Sequence, residues 1–121
     1  MSEEIKLAQT AKEEEVTLFD KIIAGKIPCS KVYEDDYTFA FRDISPTAKT
    51  HILVIPKNWD GLSSLFKAEE KHVDIMGRLL LACSQVAKQE GLDEGYRIVI
   101  NTGPHAGQTV YHIHLHVIGG E

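Results

Sequence analysis

Between Thr17 and Pro28 the apolar residues Leu18, Phe19, Ile22 and Ile23 recur at helical spacing. Thr17 offers an N-cap hydroxyl, and Gly25 and Pro28 end the helix. The period then shortens. "SKVYEDD" and "YTFAFRD" predict two strands around an Asp35-Asp36 turn, with Tyr37, Phe39 and Phe41 alternating. "THILVIP" is almost wholly apolar up to Pro56, so this strand needs cover on both faces. From about Lys67 to Glu90 the period is helical again, with Val73, Met76, Leu80, Cys83 and Ala87 on one stripe and Gly91 as the stop. Two more strands follow, "YRIVINT" and one within "TVYHIHLHVIGG", joined by the turn-rich "GPHAGQ". Helix, three strands, long helix and two strands predict an α+β domain with one mostly antiparallel sheet of about five strands.

Residues 1–16 are charged and short of large apolar side chains, and read as a loose arm before a single domain at 17–121. Hydrophobic residues make up 43% and charged residues 26%, the balance of a soluble globular chain. Neither a membrane span nor a signal peptide is expected, because no apolar run is long enough and "MSEEIKLAQT" is too acidic. The net charge of −5, with Lys and Arg scattered, argues against nucleic acid or an anionic membrane as partner. A single phosphate remains compatible with that charge, because backbone N–H groups can hold it. Cys29 and Cys83 form no CxxC and point to a reducing compartment, the cytoplasm or the nucleus.

Candidate chemistry concentrates near the end of the sequence. On a strand His112, His114 and His116 share one face, while Tyr111, Ile113, Leu115 and Val117 share the other and suit packing on the long helix. One zinc ion for all three is disfavoured, since the outer two would stand about 13 Å apart on a straight strand. A solvated strand face without chemistry fits poorly with three imidazoles in register. The preceding "NTGPHAGQT" offers exposed N–H groups and a hydroxyl, an anion cradle. Phosphate beside neutral imidazole suggests a histidine nucleophile, with the central ring best placed and its neighbours able to orient it and pass a proton.

"HIHLHVI" matches the His-φ-His-φ-His-φ-φ signature (φ apolar) of the histidine triad superfamily. Together with "FRDISPTAKTHILVIPK", "GYRIVINTG" and "AGQTVYHIHLHVIGG", it resembles the HINT branch, the histidine triad nucleotide-binding proteins, over about residues 17–120. The resemblance implies a two-layer α+β fold and a homodimer that joins two five-stranded sheets. It also implies hydrolysis of purine nucleoside 5′-phosphoramidates without metal or other cofactor. By motif, His114 would attack the α-phosphorus, His112 and His51 would relay a proton to the departing amine, and His116 would hydrogen-bond in the substrate site. Asn101, Gly107, Gln108 and Thr109 would hold the phosphate, and Thr109 would serve catalysis as well. Asp43 and Ile44 would take the ribose and base, with Phe19, Ile22, Phe41 and Leu53 lining the purine slot. Asp43 is also a natural turn former before "ISP". Thr109 stands where the family often has serine, and Trp59 where relatives often carry a histidine. Many relatives continue past the Gly-Gly with a tail that helps select the leaving group, whereas this sequence stops at Glu121. Lys57, His72 and His105 read as surface residues. Two other functions share these residues: a dinucleotide polyphosphate hydrolase of the same superfamily, and a nucleotide-binding scaffold with incidental turnover.

Overall fold

The computed structural model describes residues 16–120, so the arm expected at 1–16 lies outside them apart from Val16. In chain order the elements are α1 (Leu18–Ile23), β1 (Lys31–Glu34), β2 (Thr38–Arg42), β3 (Thr50–Pro56), α2 (Val73–Gln89), β4 (Tyr96–Val99) and β5 (Leu115–Gly119). Short 3-10 turns lie at Leu65–Lys67, Glu70–His72 and Pro104–Ala106. The strands form one sheet in the order β1-β2-β3-β5-β4, and every neighbouring pair is antiparallel.

At six residues α1 is too short to hold alone, and its start is fixed by a reciprocal cap. Thr17 Oγ1 accepts the Asp20 N–H, and an Asp20 carboxylate oxygen accepts the Thr17 N–H at 2.9 Å. The β1–β2 turn rests on Asp35, whose Oδ1 accepts the N–H groups of Tyr37 and Thr38 at 2.8 and 2.7 Å.

The long helix begins later than its periodicity predicts. His72 closes the approach to it: Nδ1 accepts the Glu69 N–H at 3.0 Å, and Nε2–H donates to the Asp60 carbonyl at 2.9 Å. This histidine is buried, not a surface residue as expected. Two 3-10 turns therefore occupy much of 65–72, and α2 starts at Val73. Its buried stripe is Leu79, Ala82, Cys83, Val86 and Ala87, rotated from the one the sequence suggests. Val73 and Leu80, seven residues apart on the same edge, are 65% and 56% exposed.

The sheet separates two apolar clusters. Ala40, Ile52, Val54, Leu115 and Val117 pack with α2, together with Ile113. Phe39, Phe41, Leu53 and Ile55 pack on the opposite face with Phe19 and Ile22 of α1. "THILVIP" is covered on both faces, as its composition requires, and Ile113, Leu115 and Val117 do meet the long helix. The strand carrying the triad is shorter than expected. Pairing with β3 ends at Val54 opposite Leu115, and the Ile113 N–H donates instead to the Leu62 carbonyl at 3.1 Å. His116 is thus on β5, whereas His112 and His114 precede it in irregular backbone.

Candidate active site

Each triad histidine has its own bonding pattern. Carbonyl oxygens only accept, so a ring nitrogen facing one carries the proton. His114 Nδ1 lies 2.9 Å from the carbonyl of His112, which makes it the N–H. Its Nε2 then holds the lone pair of the neutral ring and has no hydrogen-bond partner among the described residues. His112 is bonded at both nitrogens, Nε2–H to the Pro56 carbonyl at 2.9 Å and Nδ1 to Thr17 Oγ1 at 2.9 Å. No nitrogen of this fully buried ring is left to relay a proton to a leaving group. His116 Nδ1 lies 2.8 Å from His51 Nε2.

The direction of that last bond follows from its far end. The Thr47 backbone N–H donates to His51 Nδ1 at 3.1 Å, so Nδ1 is an acceptor and Nε2 carries the proton. His51 Nε2–H donates to His116 Nδ1, which leaves the proton of neutral His116 on Nε2. That N–H is buried without a partner among the described residues. Asp43 stands beside the pair, with Oδ2 3.4 Å from His51 Nε2.

Burial holds His112 and His114 below the ordinary imidazole pKa. It also brings His116 down to about 4, helped by the His114 and His51 rings. All three rings are therefore neutral near pH 7, the state in which imidazole is nucleophilic.

The other expected residues are placed unevenly. Phe19, Ile22, Phe41 and Leu53 do come together in one buried cluster. The Phe19 ring meets His114 edge to face at a centroid distance of 5.0 Å. Asp43 Oδ1 accepts the Ser45 N–H at 2.7 Å, the expected turn, while Ile44 is 97% exposed. Asn101 Nδ2 donates to the Ala106 carbonyl at 2.9 Å and so braces the loop. Gly107 has φ +83°, a conformation that favours glycine, and its N–H donates to the Pro104 carbonyl. Gln108 is buried: Oε1 accepts the Gly103 N–H at 2.9 Å, and Nε2 donates to the Ser63 and Val110 carbonyls. Its backbone N–H is also taken, by the Gly103 carbonyl at 3.1 Å. Gln108 and Gly107 therefore shape the loop, whereas Thr109 is exposed with no hydrogen bond to its hydroxyl among the described residues. Of the residues read as surface, Lys57 pairs with Glu34 at 2.7 Å and His105 is exposed.

The family model described as HIT domain matches residues 24–121. The chain belongs to the HIT domain family. It is 64% identical over 104 residues to a "14 kDa zinc-binding protein" of Brassica juncea, covering 86% of this chain and 92% of that one. It is 62% identical over 104 residues to "Adenylylsulfatase HINT1" of Arabidopsis thaliana, covering 86% of this chain and 71% of that one. It is 46% identical over 107 residues to the "Purine nucleoside phosphoramidase" of Escherichia coli K12, covering 88% of each. Among solved structures, a histidine triad protein from Clostridium difficile superposes with a TM-score of 0.82 at 40% identity, covering 91% of this chain and 95% of that one.

The first of those relatives' names calls for a test of zinc against this site. Asp43, His51 and His116 each offer a donor atom, all within 4.8 Å of one another. A metal at His51 Nε2 needs the lone pair there, yet the Thr47 N–H at Nδ1 keeps the proton on Nε2. The trio as arranged does not fit a zinc ion.

Three contributors to this HIT site were not assigned to it from sequence. Thr17 reads only as a cap, Asp20 reads as nothing in particular, and Trp59 stacks on His112 at 5.2 Å. Thr17 and His112 are 95 residues apart, so periodicity holds no signal for their contact.

Proposed function

We propose that this chain hydrolyses purine nucleoside 5′-phosphoramidates through a nucleotidyl-histidine intermediate, without metal. One observation carries the reading: the Nδ1–H of His114 is fixed on the His112 carbonyl, which leaves Nε2 unprotonated and unengaged. Nε2 attacks the α-phosphorus, a P–N bond to His114 forms, and the P–N bond to the amine breaks as the amine takes up the His116 Nε2 proton. Water then attacks phosphorus, returning a proton to His116 Nε2 as its oxygen bonds phosphorus, which releases nucleoside monophosphate and restores His114. The orphaned His116 Nε2–H gains an acceptor in a phosphate oxygen, and the Thr109 hydroxyl is a second donor at the loop. Asn101, Gly107 and Gln108 serve the phosphate by holding that loop in shape. Asp43 Oδ2 can accept from a ribose hydroxyl and Ile44 can cover the base, over a slot of Phe19, Ile22, Phe41 and Leu53. The E. coli relative's name supports the substrate class.

The Arabidopsis relative's name favours a second reading, in which the same nucleophile displaces sulfate from adenylyl sulfate. Both readings pass through the same adduct and differ in the leaving group. Two copies joined through the free edge of β4 fit the exposed Val73, Leu80 and Leu81 on α2. A reducing compartment suits free Cys29 and Cys83, and no helix among the described residues is long and apolar enough to cross a membrane.

The test is rapid quenching into base during turnover of an adenosine phosphoramidate whose amine leaves readily. Mass spectrometry is expected to find the nucleotidyl group on His114. Turnover with inversion at a chiral phosphorus and no adduct would replace this mechanism by direct water attack.

A further inference from the structure

The nucleophile's tautomer depends on the His112 carbonyl, yet no sheet ladder holds that carbonyl in place. The His112 ring is instead fastened at two points on separate elements. Nε2–H is tied to Pro56, the last residue of β3, and Nδ1 to Thr17, the N-cap of α1. Nε2 carries the proton, so Nδ1 is an acceptor and the Thr17 hydroxyl is the donor. That hydroxyl has a single proton and two acceptors within reach: His112 Nδ1 at 2.9 Å and Asp20 Oδ2 at 3.3 Å. The shorter contact is the one to the ring. Asp20 restrains Thr17 from behind by accepting its backbone N–H at 2.9 Å. Its other oxygen stands 3.6 Å from His112 Nδ1. Phe19 in the same short helix touches both His112 and His114, at centroid distances of 5.7 and 5.0 Å.

We infer that Thr17, held by Asp20, is a positioning residue for the nucleophile. Its hydroxyl, with the Pro56 carbonyl at the other nitrogen, holds His112 as the Nε2–H tautomer and fixes the carbonyl that orients His114. The helix cap and the orientation of the nucleophile are thus one structure. This inference rests on the reading of His114 as nucleophile. It assigns Thr17 and Asp20 no contact with substrate.

The test uses the full chain and three substitutions at one position. Thr17→Val removes the donor, Thr17→Ser keeps it, and Thr17→Asp keeps a good N-cap but can only accept from His112 Nδ1. Turnover of an adenosine phosphoramidate by Thr17→Val and Thr17→Asp is expected to fall about 10- to 100-fold in kcat, the scale of a misplaced reacting group, with KM little changed. Thr17→Ser is expected to stay close to wild type in both kcat and melting, whereas Thr17→Asp is expected to be slow and less stable, because it places a second carboxylate beside Asp20. Imidazole 15N–1H spectra of the free protein supply a readout that needs no substrate. Wild type is expected to show His112 protonated on Nε2 and His114 on Nδ1, and the Thr17→Val and Thr17→Asp variants to change the signals of both rings. Wild-type kcat in the Val or Asp variant, equal loss in Val and Ser, or unmoved His114 signals would each overturn the inference. If wild type turns over no phosphoramidate, the functional reading fails while the spectra still decide this one.

Discussion

The two faces of the same sheet are built on opposite rules, and residues 112 to 117 belong to both. Ile113, Leu115 and Val117 enter a hydrocarbon cluster against α2, where any side chain of similar volume and shape would serve. The histidines that alternate with them meet the α1 side, where hydrogen bonds fix which nitrogen of each ring carries the proton. The α2 face is held by volume, and a truncation there acts on folding free energy. The α1 face has an apolar cluster of its own, but the histidines at it are held by donors and acceptors, and a change to them acts on which atom carries a lone pair. One alternating stretch thus separates stability from chemistry.

The largest expected effect tests that separation directly. His114→Ala is expected to reduce phosphoramidate turnover by about 10^4-fold or more, the scale seen when a nucleophile is deleted, with the protein still folded. Leu115→Ala, one residue away, is expected to cost about 2 to 5 kcal/mol of stability, read by urea denaturation, while the folded fraction keeps its turnover. If Leu115→Ala abolished turnover in fully folded protein, the two faces would not be separable.

A smaller effect comes from pH. A neutral buried histidine has a folded-state pKa below its unfolded value, so the unfolded chain binds more protons between the two. Stability contributed by such a ring is complete above the unfolded pKa near 6.5 and is lost as pH falls toward the folded value. For His116, held at about 4 by burial and its neighbours, the window runs from about 6.5 down to about 4. The loss across it is on the order of 3 kcal/mol, and His112 and His114 add to it in the same direction. Denaturation midpoints should therefore fall steadily from pH 7 to pH 4. A His116→Asn variant should show a shallower fall, and equal slopes would remove His116 from the account.

The smallest effect sharpens the loop. Thr109→Ala is expected to lower turnover by about 10-fold, the weight of one hydrogen bond to a charged group, and Thr109→Ser to be nearly silent. A serine variant as slow as the alanine one would make Thr109 a packing residue.

Where the two apolar clusters were legible in sequence, it was because burial repeats locally. "THILVIP", Phe39 and Phe41 and the apolar half of residues 113–117 all take the environment their periodicity predicts. The start of α2 was not legible, because buried His72 is satisfied by the Asp60 carbonyl and the Glu69 N–H, pairings that hydropathy does not encode. The histidine face was legible as a set of residues but not as a network. Alternation groups His112 with His114 and His116, yet both of its ring bonds reach elements far away in the sequence, at Thr17 and Pro56. Gln108 likewise reads as a phosphate ligand from its motif, although its amide is consumed in closing the loop.

The hydrogen bonds of the His51–His116 pair all run the same way. The Thr47 N–H donates to His51 Nδ1, His51 Nε2–H donates to His116 Nδ1, and His116 Nε2–H ends the line without a partner among the described residues. Aligned hydrogen bonds polarise one another, so each donor leaves the next N–H slightly more positive. The line is therefore a small dipole with its positive end at His116 Nε2, the end an oxyanion would favour.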